Sequence, residues 1–205
     1  MRFLFFVLIC TVFLTGCSNS DKNSQGYNTQ SLSVTRDAPD NLNIDIENHQ
    51  EPIEEQIASF STKVSQKDPD RQNNITICCN SLNGIIVKAG ETFSFCDTLG
   101  PASPEDGYEK ADTFDADGDT IQAYGGGKCQ VSTTLYNAVL AVPSITVVER
   151  HEHSGPVYYV PEGMDACVSY GSCDFKFRND SDVDIRMYVS NTPDSIDVSL
   201  VKISS

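Results

Sequence analysis

Positive charge is scarce in this chain: 14 Lys and Arg stand against 29 Asp and Glu in 205 residues, a formal net charge of −15 at pH 7. A surface of that sign offers no basic patch to a phosphate backbone or to an anionic lipid headgroup, so nucleic acid is excluded as a partner. Long apolar runs are missing after the first seventeen residues, and no later segment can cross a bilayer as a helix. No internal repeat is visible. The paired Cys-x-x-Cys of a structural zinc site is also missing, so the combination of Cys129 with His151 and His153 makes only a weak zinc signal. Asp115-Ala116-Asp117-Gly118-Asp119 invites a calcium reading, but an EF-hand loop needs glycine at its sixth position and glutamate at its twelfth, and neither is in place. An Asp-Gly hairpin turn is expected there instead.

What is present begins with three compositional zones. Arg2 followed by the apolar stretch Phe3 to Phe13 and the ending Leu14-Thr15-Gly16-Cys17 resembles a bacterial lipoprotein signal, with Cys17 as the lipidated residue. Residues 18–59 are rich in Ser, Asn, Asp, Glu and Gln without sustained periodicity, which reads as a disordered tether with an r.m.s. reach of about 35 Å. His49 lies in that stretch and is read as solvated. Residues 60–205 form one folded domain, and 39% hydrophobic content is enough for its core. The expected location is extracytoplasmic, with the domain tied to the membrane through the N-terminal lipid.

Within the domain, Ile75, Cys78, Cys79 and Leu82 mark one face of a helix that stops at Asn83-Gly84. Ile85 to Val87 and Thr92 to Cys96 read as strands, and Gly100-Pro101 with Ser103-Pro104 reads as a loop. Beyond Pro143, the segments Ile145–Glu149, Val157–Val160, Ala166–Tyr170, Asp174–Arg178, Ile185–Ser190 and Ser195–Ile203 are strand-like and mostly antiparallel. The fold class is therefore α+β.

The centre of the chain is Tyr124-Gly125-Gly126-Gly127-Lys128-Cys129-Gln130-Val131. Three glycines precede a cysteine, and Val131, Leu135, Ala138, Val139 and Val142 then trace a helical face. A thiol in the first turn of that helix sits beside unpaired N–H groups and the positive end of the helix dipole, which favour thiolate. A helix from Cys129 to Val142 advances about 20 Å. A returning strand of six to eight residues covers about 20–26 Å and brings His151 or His153 back beside Cys129. On a continuous strand the two histidines share a face, and either can serve as the base. Asp165, Asp174 and Glu152 are candidates to orient it, with Asp165 preferred and Glu152 weakest.

At these residues the chain resembles the VanW family. The matching segments include Leu82-Asn83-Gly84, Gly90-Glu91-Thr92-Phe93-Ser94-Phe95, Gly125 to Ala138, Glu149-Arg150-His151-Glu152-His153-Ser154, Tyr159-Val160-Pro161, Asp165-Ala166 and Asp174 to Phe177, spread over about residues 60 to 190. The resemblance implies action on peptidoglycan stem peptides as a cysteine-dependent L,D-transpeptidase that forms 3→3 cross-links, without a cofactor or metal. Cys129 is then the nucleophile, His153 the preferred base with His151 second, and Asp165 the orienter. Gly126, Gly127 and Gln130 are expected to serve substrate and oxyanion, and Arg150 a stem carboxylate. The acidic surface repels wall polyanions, so recognition of such a substrate has to be local. The order of nucleophile helix, strand, His and Asp also resembles papain and the transglutaminases at the level of fold analogy. A peptidase or amidase with the same site and a non-catalytic wall-binding module are the competing readings. Cys167 and Cys173, extra to the resemblance, flank a turn across which they could meet as a disulfide, and at most one of Cys78 and Cys79 can bridge to Cys96; an anaerobic host would leave all of them reduced, so the pairing stays open.

Overall fold

The computed structural model describes residues 52–115 and 117–204. The expected signal, the expected lipidation site Cys17, His49 and the expected tether up to residue 51 lie outside the described residues. The chain opens on strand β1 (Ile53–Lys63), earlier than the boundary at 59/60 expected from composition. Its first four residues are exposed, and only Ile57, Ala58, Phe60 and Thr62 turn inward, so polar composition hides a strand that is specified by backbone pairing with the far end of the chain.

Helix α1 (Pro69–Leu82) follows, with the Asp68 carboxylate accepting the Arg71 N–H at its N-cap and Pro69 in its first turn. It buries Ile75, Cys78, Cys79 and Leu82, as the spacing predicts. Strands β2 (Ile86–Val87) and β3 (Thr92–Ser94) are short. The expected strand to Cys96 is cut at Ser94, whose hydroxyl caps the short helix α2 (Phe95–Leu99). Strands β4 (Lys110–Phe114) and β5 (Thr120–Tyr124) form a hairpin closed by the Asp115–Asp119 turn, whose Asp115 carboxylate accepts the N–H groups of Asp117 and Asp119. Helix α3 (Lys128–Leu140), β6 (Ile145–Glu149), β7 (Lys176–Asn179), β8 (Asp184–Asn191) and β9 (Ser195–Ser204) complete the domain.

Three antiparallel sheets result: β1-β9-β8-β2, β3-β7-β6 and the β4-β5 hairpin. Val201 breaks the alternation of Ile196, Val198 and Leu200 in β9, and it lies at a register break in β1, where Gln56 pairs with Val201 but Ala58 pairs with Leu200. Ile57 is the extra residue of that bulge. Helices α1 and α3 pack on the four-stranded sheet and on each other. The core joins Leu135, Ala138 and Val139 of α3 to Ile196, Val198 and Leu200 of β9 and to Phe93, Phe175 and Phe177 around the second sheet. An α+β domain with the Cys129-bearing helix packed on antiparallel sheet is thus what the chain forms. The segments at 157–160 and 166–170 are not strands. They run as irregular chain, with single bridges at His151–Cys167 and Ser169–Cys173.

Candidate active site

The glycine turn sets the start of α3. Gly127 caps the helix at φ +114, and a side chain there would meet Ile75 Cγ1 at 2.9 Å. A Cβ on Gly126 would lie 2.8 Å from the carbonyl oxygens of both Ala111 and Asp112. The close approach these glycines permit is therefore to β4 and α1 of the protein itself. Gly127 reaches the cleft wall, while Gly126 is buried and is not among the residues that line it. The glycines thus have a packing role that fixes where α3 begins, and with it Cys129 in the first turn; Gly126 is kept from the cleft, whereas Gly127 lines it.

Helix α3 does a second job through its polar side chains. Ser132 Oγ donates to Ala166 O at 2.5 Å, Thr133 Oγ1 accepts the Ala166 N–H at 3.0 Å, and Asn137 Nδ2 donates to Met164 O at 2.7 Å. These buried groups clamp residues 164–166 along the helix, and that segment carries Asp165 and leads to Cys167. The helix that presents the thiol also holds the groups arranged around it.

His153 is the histidine brought to Cys129. Its side chain is 6% exposed, and Nδ1 lies 2.5 Å from Asp165 Oδ2. The same oxygen accepts the His153 backbone N–H at 2.8 Å. Asp165 Oδ1 takes Arg150 at 2.9 Å, while Arg150 Nε donates to the Asp165 carbonyl at 2.6 Å. With Nδ1 committed to the carboxylate, Nε2 is the ring nitrogen left for the thiol.

The Cys129 thiol is held well below its ordinary pKa. The largest cause is a hydrogen bond from Cys167; the His153 ring adds a hydrogen bond and positive charge, and the Val168 N–H, 3.5 Å from Sγ, adds another, together outweighing the opposing effect of burial. Cys167 is pushed up for the reciprocal reason, since it keeps the proton it shares with Cys129. Burial pushes the His153 pKa down, but the Cys129 sulfur and the Asp165 carboxylate outweigh it and the net shift is upward. Asp165 is lowered because the His153 N–H and ring overcome its own desolvation. All three directions favour one state, a thiolate–imidazolium pair backed by a carboxylate.

Other expected residues are placed elsewhere. His151 is 45% exposed and pairs with Glu149 at 2.9 Å, because the chain leaves strand geometry after Glu149 and the two histidines do not share a face. Arg150 is spent on Asp165, Gly163 and Glu152, so it positions the orienting carboxylate and does not offer a free cation to a substrate. Gln130 is buried with Oε1 on Arg71 and Nε2 on Thr62 and Lys63, so its side chain braces α3 to α1 and β1 and has no donor left for an oxyanion. Asp174 accepts Ser94 Oγ and the N–H groups of Cys96 and Phe175, a turn-forming role. Glu152 is exposed. All six cysteines of the described domain are free thiols: Cys167 and Cys173 face each other with sulfurs 3.5 Å apart, and Cys78, Cys79 and Cys96 are buried. Neither candidate bridge is formed, which is the reduced alternative among the pairings left open by the sequence.

The cluster opens into a cleft of about 680 Å³ that is walled by Arg71, Tyr124, Lys128, Tyr158, Tyr159 and Tyr170 among others. Sequence reasoning missed Arg71, which is buried between the Asp112 carbonyl and Gln130, and it missed the Cys129–Cys167 contact. Donor atoms of Cys129, His153 and Cys167 lie within 4.8 Å of one another, so Cys167 takes the place that His151 held in the metal set weighed on the sequence.

Fold and site together define an α+β domain with a thiol–imidazole–carboxylate constellation at a helix N-terminus, set in an open cleft. The chain belongs to the VanW-like family: the family described as VanW like protein matches residues 70–201, which include the whole constellation. It is 36% identical over 125 residues to the uncharacterized protein YoaR of Bacillus subtilis (strain 168), covering 61% of this chain and 41% of that protein. It is 34% identical over 122 residues to the vancomycin B-type resistance protein VanW of Enterococcus faecalis (strain ATCC 700802 / V583), covering 57% of this chain and 44% of that protein. The matched chain thus spans less than half the length of either relative. No solved structure matches significantly.

Proposed function

We propose that the chain is a cysteine acyltransferase of the cell wall that acts on peptidoglycan stem peptides as an L,D-transpeptidase, anchored outside the membrane by lipid on Cys17. The observation that carries the chemistry is the ordered series Cys129, His153 and Asp165, with Arg150 behind it, in the wall of an open cleft. The link to the cell wall rests on the family and on the printed name of its vancomycin-resistance relative.

In the acylation step the Cys129 thiolate forms a bond to the carbonyl carbon between the third and fourth stem residues. Collapse of the tetrahedral adduct breaks the amide bond, and the His153 imidazolium passes its proton to the departing amine of D-Ala. A thioester remains on Cys129. The side-chain amine of a second stem's third residue then attacks that thioester, loses its proton to His153, and releases Cys129 as thiolate with a 3→3 cross-link formed. The two half-reactions balance in protons, and Asp165 keeps the imidazole in the one tautomer that serves both.

The test is mass spectrometry of a tetrapeptide muropeptide incubated with the protein. A covalent adduct on Cys129 followed by cross-linked dimer supports the reading. Cross-linked product from the Cys129→Ala protein would end it, and an adduct that resolves only to free acid would assign hydrolysis in its place.

A further inference from the structure

The sulfur atoms around Cys129 number more than an acyl transfer needs. Cys167 hydrogen-bonds to the nucleophile from across the cleft, and Cys173 sits 3.5 Å from Cys167. Zinc takes sulfur and nitrogen ligands, with Zn–S bonds near about 2.3 Å, and Cys129 and Cys167 supply the sulfur. Nitrogen is supplied by His153, whose outer nitrogen is bound to the Asp165 carboxylate at 2.5 Å. That is the carboxylate–histidine support that fixes the tautomer and basicity of a metal-bound imidazole.

We propose that Cys129, His153 and Cys167 form a binding site for Zn²⁺, with the fourth position open to the cleft, that holds the nucleophile in a masked state. Their donor atoms already lie within 4.8 Å of one another: Cys129 stands in the first turn of α3, Cys167 follows the segment that Ser132 and Thr133 clamp to that helix, and His153 is held by Asp165 of the same segment. Soft thiolates together with one imidazole select a thiophilic cation over calcium or magnesium, which take oxygen. Charge explains why these sulfurs are worth collecting. A divalent cation compensates two thiolates held in the same space. Binding displaces the protons of Cys167 and of His153 Nε2 to solvent, and it occupies the Cys129 lone pair that would attack a carbonyl. The site therefore switches acyl transfer off wherever free zinc is present. The inference does not depend on the identity of the acyl substrate.

The test uses the purified full-length protein, kept reduced, with Zn²⁺ as the probe and Co²⁺ as its coloured substitute. The expected result is saturable binding of one metal per chain, a thiolate-to-cobalt charge-transfer band, and zinc protection of Cys129 from iodoacetamide that a chelator reverses. Cys129→Ser and Cys167→Ser weaken binding at least about tenfold, and Asp165→Asn weakens it about 10- to 100-fold, as for other partners of metal-bound histidine. His151→Ala leaves the affinity unchanged. Absence of 1:1 binding, or affinity that survives loss of Cys129 or Cys167, overturns the site. Labelling mapped by mass spectrometry on the unaltered chain decides the matter even if a cysteine variant does not fold, because labelling of Cys129 that zinc does not slow also overturns it. Since no substrate is present, failure here leaves the acyl-transfer reading standing, and zinc binding by a protein that forms no acyl adduct separates the two in the other direction.

Discussion

At the scale of residues, Cys129 depends on its neighbours for its reactivity. Its pKa is lowered below the ordinary thiol value of 9.0, so the metal-free thiol is ionised on the alkaline side of a depressed midpoint and loses reactivity only as pH falls through it. Iodoacetamide labelling of Cys129 in chelator-treated protein should therefore hold its plateau well below pH 9.0, while labelling of the His153→Ala variant should climb toward that value. The same variant should lose about 10²- to 10⁴-fold in acyl transfer, the usual contribution of a positioned acid–base group. A pH–rate curve for Cys129 that is unchanged by loss of His153 would show that the ring does not face the sulfur. Arg150 belongs beside His153 in this account: it holds the second oxygen and the carbonyl of Asp165, and it tests as a positioning residue. Arg150→Ala should lower kcat with little change in KM, where a residue that grips a substrate carboxylate would chiefly raise KM.

At the scale of elements, α3 and its glycine turn unite the nucleophile with its partners. Thr133 Oγ1 accepts the Ala166 N–H inside the protein, so Thr133→Val leaves that N–H unsatisfied at a cost of about 1–3 kcal/mol. Urea unfolding should show this loss, and acyl transfer should fall as well, because the released segment carries Asp165. Gly127→Ala places a Cβ 2.9 Å from Ile75 Cγ1 at φ +114, and should destabilise by more than about 1 kcal/mol. The packing roles of these two positions were not legible in the sequence. The apolar period of α3 and the thiol at its start could be read from spacing, because a helical period is local; spacing left His151 and His153 as alternatives and Asp165 as one of three orienters, because it assumed a continuous strand, whereas β6 ends at Glu149. Two features were not legible. Ser132, Thr133 and Asn137 look like surface polar residues until the irregular chain at 164–166 is placed against them. Arg150 and Gln130 look free for substrate until their buried partners are known. Both depend on contacts between residues far apart in sequence, and an irregular segment has no period to announce it. The cysteines show the same limit from the other side: an even count in an exported chain argues for bridges, whereas placement around the site leaves Cys129, Cys167 and Cys173 as thiols.

At the scale of the molecule, the unexpected strand β1 governs where the domain begins. Composition places the boundary at 59/60, yet Ile53 to Ser59 pair with Ser204 to Ser199 along β9, with only the bulge at Ile57 interrupting the register. Phe60 to Lys63 then pair with Val198 to Ser195, so a chain starting at Phe60 would keep only this last part of the ladder. It would leave half of β9 as an open edge and uncover Ala58, which is buried against the core. An open edge of that length invites pairing with another chain. Compared with a chain starting at residue 52, the shorter one should unfold at lower urea and associate as concentration rises, with both effects read from denaturation curves and sedimentation. The loss should also reach the site. Thr62 hydrogen-bonds both to Thr134 at 2.8 Å and to Gln130 Nε2 at 3.2 Å, and these bonds tie β1 to the helix that carries Cys129. Equal stability and equal Cys129 labelling rates in the two chains would show that β1 is dispensable and that the domain does start near residue 60. A slower rate in the shorter chain, measured where both are folded, would show that the strand helps hold the nucleophile helix in place.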